Sequence, residues 1–140
     1  MKLSEHFSLE EMTKSQTGSR KGIDNTPGEK EIQNLKLLCQ NVLEKIRIHF
    51  GRPVNVNSGY RGPALNKAIG GAKKSQHLTG QAADIEIAGI DNKILFCWIK
   101  DNLEFDQLIL EYYKPGVPDS GWVHVSWNSE GNRKQVITID

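Results

Sequence analysis

Ser75-Gln76-His77-Leu78-Thr79-Gly80-Gln81-Ala82-Ala83-Asp84 reads either as one helix or as a bend that feeds a strand, and the choice decides how the chain is arranged. On a continuous helix His77 and Asp84 share a face, but seven steps of about 1.5 Å put their backbones roughly 10 Å apart. That spacing is awkward for one small ion. If Thr79-Gly80 bends and Ala82 to Ile87 runs out as a strand, the aspartate folds back beside the histidine. A metal ion about 2 Å from each can then join them. On such a strand Ala82, Asp84 and Glu86 point one way and Ala83, Ile85 and Ile87 the other. The carboxylate is thereby separated from the apolar face.

The flanking segments fit the second reading. Upstream, Val54-Asn55-Val56-Asn57-Ser58 alternates as a half-buried strand does, and Gly59-Tyr60-Arg61-Gly62-Pro63 turns out of it, leaving Arg61 at a strand end. Ala64 to Ile69 is a short helix ended by Gly70-Gly71. Downstream, Asp91 caps a helix from Asn92 to about Asn102, with Ile94, Leu95, Trp98 and Ile99 among its buried positions. Phe105 to Tyr112 is a strand. After a loop marked by Pro115, Gly116, Pro118 and Gly121, Trp122 to Trp127 alternates, with Val123 and Val125 on one face and His124 on the other. Asn128 to Asn132 turns into a last strand, Gln135 to Ile139. Three consecutive late strands predict an antiparallel sheet with helices packed on it, an α+β fold.

The first third is helical. Ser8-Leu9-Glu10-Glu11 has the form of a capping box and predicts a helix through about Lys14. Ser15 to Asn25 reads as a loop that wraps the domain. Thr26-Pro27-Gly28-Glu29 reads as a second capping box with proline at the first helical position. Ile32, Leu35, Cys39, Val42 and Ile46 then form one apolar stripe on a helix ending near Phe50, with Gly51 as its cap. His49 sits at the carboxyl end, where it meets the helix dipole favourably.

A chain of 140 residues is about one domain, 1–140, able to bury a core without staples. The net charge is +1 with both signs interspersed, which points to neither a nucleic-acid nor a membrane partner. Cys39 and Cys97 sit among apolar residues outside any Cys-x-x-Cys cluster and read as reduced core residues. Met1 to Phe7 lacks the apolar run of a signal peptide, so synthesis in the cytoplasm without self-directed export is expected.

His77 and His124 lie outside helical patterns, with Asp84 on a strand between them in sequence. Two imidazoles and one carboxylate make an open zinc site with a fourth position for water, the arrangement for metal-assisted hydrolysis. The competing reading is a buried histidine hydrogen-bonded to a nearby carboxylate.

Three motifs then carry a family resemblance. Ser75-x-His77-x-x-Gly80-x-Ala82-x-Asp84, preceded by Ser58-Gly59-Tyr60-Arg61 and followed by Gly121-Trp122-Val123-His124-Val125, resembles the zinc D-Ala-D-Ala carboxypeptidase family. That family includes peptidoglycan-cleaving endopeptidases of bacteria and phages and vancomycin-resistance dipeptidases, and the hedgehog signalling domain shares its fold. Phe7-Ser8-Leu9-Glu10-Glu11-Met12 and Phe105-Asp106-Gln107-Leu108-Ile109 are similar to its small single-domain branch.

The resemblance implies Zn2+ at His77, Asp84 and His124, and hydrolysis of stem or cross-bridge peptides of peptidoglycan by a monomer. It also implies that Arg61 polarises the scissile carbonyl or holds a substrate carboxylate. Ser75 and Gln76 become candidates for binding substrate or fixing the ligands, and Trp122 lines the cleft or packs in the core. The implied general base is a glutamate. Several members carry it three residues before the last histidine, where this chain has Gly121. The nearest carboxylates are Asp119 in the loop and Glu111 at the end of the preceding strand, and Glu111 is favoured because a hairpin brings it beside the metal. The same departure leaves open a non-catalytic zinc-containing module that binds peptide. The resemblance places the action at the bacterial cell wall, after release or as a virion component.

Overall fold

The apolar stripe Leu35, Cys39, Val42 and Ile46 is fully buried along one helical rod. It runs from α3 (Glu29–Leu38) through a π-helical turn (Cys39–Leu43) into α4 (Glu44–Phe50), where Gly51 closes it in the left-handed conformation. The computed structural model describes residues 1–140. Ahead of the rod come α1 (Leu9–Thr13) and α2 (Gln16–Lys21); after it come β1 (Asn55–Ser58), α5 (Pro63–Ala68), a 3-10 turn (Gln76–Thr79), β2 (Ala82–Glu86), α6 (Asn92–Asn102), β3 (Gln107–Glu111), β4 (Trp122–Ser126) and β5 (Gln135–Ile139). No helix is long and apolar enough to cross a membrane.

The five strands form one sheet in the order β1-β2-β4-β3-β5. The β1–β2, β2–β4 and β4–β3 pairs are antiparallel. Alternation divides the two faces. Val56, Ile85, Val123, Val125, Leu108 and Leu110 join the rod and the buried residues Leu95 and Ile99 of α6 in a single core. Asp84, His124 and Glu111 face the other way, on a side that no long helix covers. The antiparallel α+β reading holds, and one face of the sheet is free to carry a site.

Several local expectations are corrected. Ser15–Asn25 is not all loop: the Ser15 hydroxyl accepts from the Gly18 N–H and starts α2. The rod starts two residues later than expected, at the N-cap Gly28, and only half of a capping box forms there because glycine has no side chain. Thr26 instead bonds the Asp24 carboxylate, and Glu31 accepts from the Gly28 N–H at 3.3 Å. Ile94 is exposed at 58 %, its place in the core taken by Phe96. β5 pairs with β3 in parallel, because the chain after β4 crosses to the far side of β3 before it rejoins the sheet. Both cysteines are free, and burial pushes the Cys39 thiol up to about 12, which makes it an inert part of the core.

Candidate metal centre

The bend expected at Thr79-Gly80 is present. Gly80 has φ +74, and a Cβ there would press on the Glu31 carbonyl of α3, so only glycine lets the 3-10 turn dock on the rod and hand over to β2. The turn puts His77 on the sheet's open face. Asp84 and His124 arrive there as direct cross-strand partners of β2 and β4. The three side chains offer ligand atoms that all lie within 4.8 Å of one another.

Oδ1 of Asp84 lies 3.3 Å from His77 Nε2 and 3.0 Å from His124 Nδ1. Ligands about 2.0–2.1 Å from an ion at tetrahedral angles are about 3.3 Å apart, so both edges fit one small ion. The protonation pattern points the same way. The other ring nitrogen of His77, Nδ1, is 2.7 Å from the Gly59 carbonyl, which can only accept, and so Nδ1 carries the proton. On a neutral ring, Nε2 then faces the Asp84 oxygen with no hydrogen between two electron-rich atoms. A cation relieves that repulsion, and the carbonyl holds the ring at the correct tautomer for it. Burial works against the charge on Asp84, but the hydrogen bond from His124 outweighs it and holds the carboxyl well below the usual carboxylate range.

The centre forms part of a cleft of about 590 Å³, whose walls include Arg61, Ser75, Gln76, Glu111 and Trp122. Arg61 donates from Nη2 to the Ser75 hydroxyl at 3.2 Å, and Ser75 also accepts from the His77 N–H. Burial lowers the Arg61 pKa, and the nearby Asp84 and Glu111 charges oppose that effect. Trp122 lies on the cleft wall, half-buried, and its Nε1 donates to Glu111 Oε2 at 2.8 Å. Asp119 is elsewhere, on the wall of a separate depression with Asn57 and Glu86. His6 bonds Glu44, and His49 stacks on Trp98, so neither histidine approaches the centre.

Gly121 explains the departure at the position three before His124. Its φ is +64, and a Cβ there would collide with the carbonyl oxygen of Glu111 and the backbone of Tyr112 and Tyr113. The end of β3 fills the space that a side chain at 121 would need. Glu111, whose carboxylate lines the metal cleft, belongs to the strand end that excludes a side chain at 121.

Asp106 escaped the reading of the sequence. Its carboxylate is buried at 2 % exposure and accepts four hydrogen bonds: from Gln76 Nε2 at 2.8 Å, and from the Arg133 N–H, Nε and Nη2 at 2.9, 3.0 and 3.1 Å. It thus ties the His77-bearing turn to the loop before β5. The donor groups of Gln76 therefore hold the scaffold, through the amide. A charged residue between Phe105 and Leu108 was the available signal, since an aspartate in an apolar strand start needs buried partners.

Two imidazoles and one carboxylate opening onto a cleft have the donor set of a catalytic rather than a closed structural metal site. The peptidase M15 family model matches residues 5–126, a span that contains all three motifs, and the chain belongs to that family; its role is that of a metallopeptidase. A comparison with curated proteins finds no match.

Proposed function

We propose that the protein is a zinc-dependent peptidase that cleaves stem or cross-bridge peptides of bacterial peptidoglycan, as a D-Ala carboxypeptidase or a cross-link endopeptidase, at the cell wall after release or as a virion component. The observation that carries this reading is the position of Glu111. Its carboxylate shares the cleft with His77, Asp84 and His124, and one of its oxygens is held by Trp122.

In this reading His77, Asp84 and His124 hold Zn2+, which supplies Lewis-acid chemistry, polarising a carbonyl and lowering the pKa of water from about 16 toward 7. Glu111 is the general base, taking a proton from the attacking water and delivering it to the leaving amine. Arg61, fixed by Ser75, presents its guanidinium to the oxygen that gains charge, or to a substrate carboxylate. Gln76 acts through Asp106 by keeping the His77 turn in place. Trp122 fixes the rotamer of Glu111 and forms a wall for substrate.

Digestion of muropeptides of several cross-link types by the zinc-loaded protein, followed by mass spectrometry, tests the proposal. New amino termini or released D-alanine support it and distinguish endopeptidase from carboxypeptidase action. Intact muropeptides across a panel that includes the true cross-link type would sink it.

A further inference from the structure

Arg61 lines two depressions. They share no other lining residue. One is the metal cleft, and the second, about 860 Å³, lies between α2, α5 and the outer edge of β1. The charged side chains on the second are Lys14, Arg20 and Arg61, and no carboxylate lines it. Lys14 and Arg20 are exposed and form no ion pair. On Arg61, Nη2 reaches Ser75 while Nε is buried without any hydrogen-bond partner. Unpaired cations around a hollow with no acid of their own set up a positive potential, which favours an anionic occupant.

The wall beside those cations is a strand edge. β1 ends the sheet, and no residue from Val54 to Ser58 makes a backbone hydrogen bond outside its ladder with β2. Val56, Asn57 and Ser58 line the groove. A register shift between Val56 and Ser58 marks a bulge there, of the kind found at sheet edges beside binding sites, where it re-aims a side chain. An exposed edge of this kind binds extended peptide by main-chain hydrogen bonds, with specificity left to neighbouring side chains. A simple anion would use the cations and leave the edge idle. An extended peptide with carboxylate side chains uses both.

We propose that this groove is a second substrate-binding site, taking an extended acidic peptide segment along β1. Lys14 and Arg20 hold its carboxylates, and Arg61 stands where the segment passes into the metal cleft. Its role in substrate binding rests on the peptidase reading above. The consequence is that recognition extends beyond the bond being cut, to an acidic stretch on the β1 side.

The test is fluorescence anisotropy with the full-length, zinc-loaded Glu111→Gln protein. The probes are a short fluorescein-labelled peptide alternating glutamate and alanine, and its glutamine counterpart. The acidic peptide is expected to bind about ten-fold more tightly at low ionic strength, with the preference lost in high salt. Adding K14E/R20E should weaken acidic-peptide binding about ten-fold and leave the glutamine peptide unaffected; the milder K14A/R20A should fall between. Both positions are exposed, and a melting curve verifies the fold of each variant. Failure of the parent to prefer the acidic peptide, or equal binding by K14E/R20E, overturns the proposal. Muropeptide digestion by the wild-type protein, run in parallel, judges the peptidase reading separately: acidic-peptide binding without digestion would leave the groove and remove the enzyme.

Discussion

Glu111 and Trp122 are cross-strand partners at the loop end of the β3–β4 hairpin, and the indole Nε1 donates to Glu111 Oε2 at 2.8 Å. The other carboxylate oxygen, Oε1, has no protein partner, so the bond fixes one oxygen and leaves its twin available to the cleft. Under the proposed mechanism Glu111→Gln keeps the shape and the indole contact but removes the base. Turnover of muropeptides should fall about 10²- to 10⁴-fold, with metal content by mass spectrometry the same as in the parent. Unchanged turnover would move the base elsewhere, with Asp119 the next variant to make.

Trp122→Phe retains most of the cleft wall and deletes the donor. The Glu111 carboxylate then samples several rotamers, and kcat should drop roughly ten-fold, corresponding to about 1.4 kcal/mol in the barrier. A change confined to KM would mean that the indole serves substrate binding alone.

Metal removal should cost stability as well as activity. At a free zinc concentration a thousand times Kd, linkage adds about 4 kcal/mol to the folded state. Dialysis against a chelator should lower the melting temperature, and added zinc should restore it. In Asp84→Ala the zinc-dependent rise should vanish, because the shared ligand oxygen is gone. A melting temperature indifferent to zinc in the parent would contradict the site.

Asp106 supplies a pH signature. Hydrogen bonds from Arg133 hold its carboxyl below the usual range, against the opposing effect of burial. A depressed carboxyl stabilises the fold fully above its unfolded value of about 3.9, and that contribution is lost as pH falls through the lower folded value. Asp106→Asn should therefore be less stable than the parent by about 2 kcal/mol near neutral pH. The gap should close in acid, below about pH 4. Urea titrations at several pH values measure it, and a gap independent of pH would rule out the carboxylate charge as its source.

Gly121 cannot accept the glutamate found at that position in several relatives. Gly121→Glu, or even Gly121→Ala, forces a side chain into the Glu111 backbone at a positive φ, and should cost about 3 kcal/mol or more. Introducing Gly121→Glu into the Glu111→Gln protein should fail to restore turnover. Recovery would show that the end of β3 yields more easily than its packing implies.

The site was more legible than its support. His77, Asp84 and His124 stood out because glycine, alternation and residue type converge on them within short stretches, and the bend at Gly80 follows from local chain chemistry. The β5 pairing was not legible. Nothing in Gln135–Ile139 records which edge it joins or in which direction, since that depends on the path of the preceding loop around β3. The α2 helix escaped for a local reason: Gln16–Lys21 has a glycine in its middle and little apolar periodicity, and its serine cap lacks the partner glutamate of a full box. Gln76 stood out as a candidate, but its tie to Asp106 escaped, because a hydrogen bond between residues thirty apart names its partner in neither neighbourhood.

Asp84 and His124 are held opposite each other by the central ladder of the sheet. A one-residue slip between β2 and β4 would send one of them toward the hydrophobic core and bring an aliphatic side chain out in its place. At the proposed site, zinc uptake would therefore report strand alignment: in a refolding experiment, the fraction of chains that capture the ion would count the molecules whose two middle strands have paired in the native order, whether or not they have recovered any enzymatic activity.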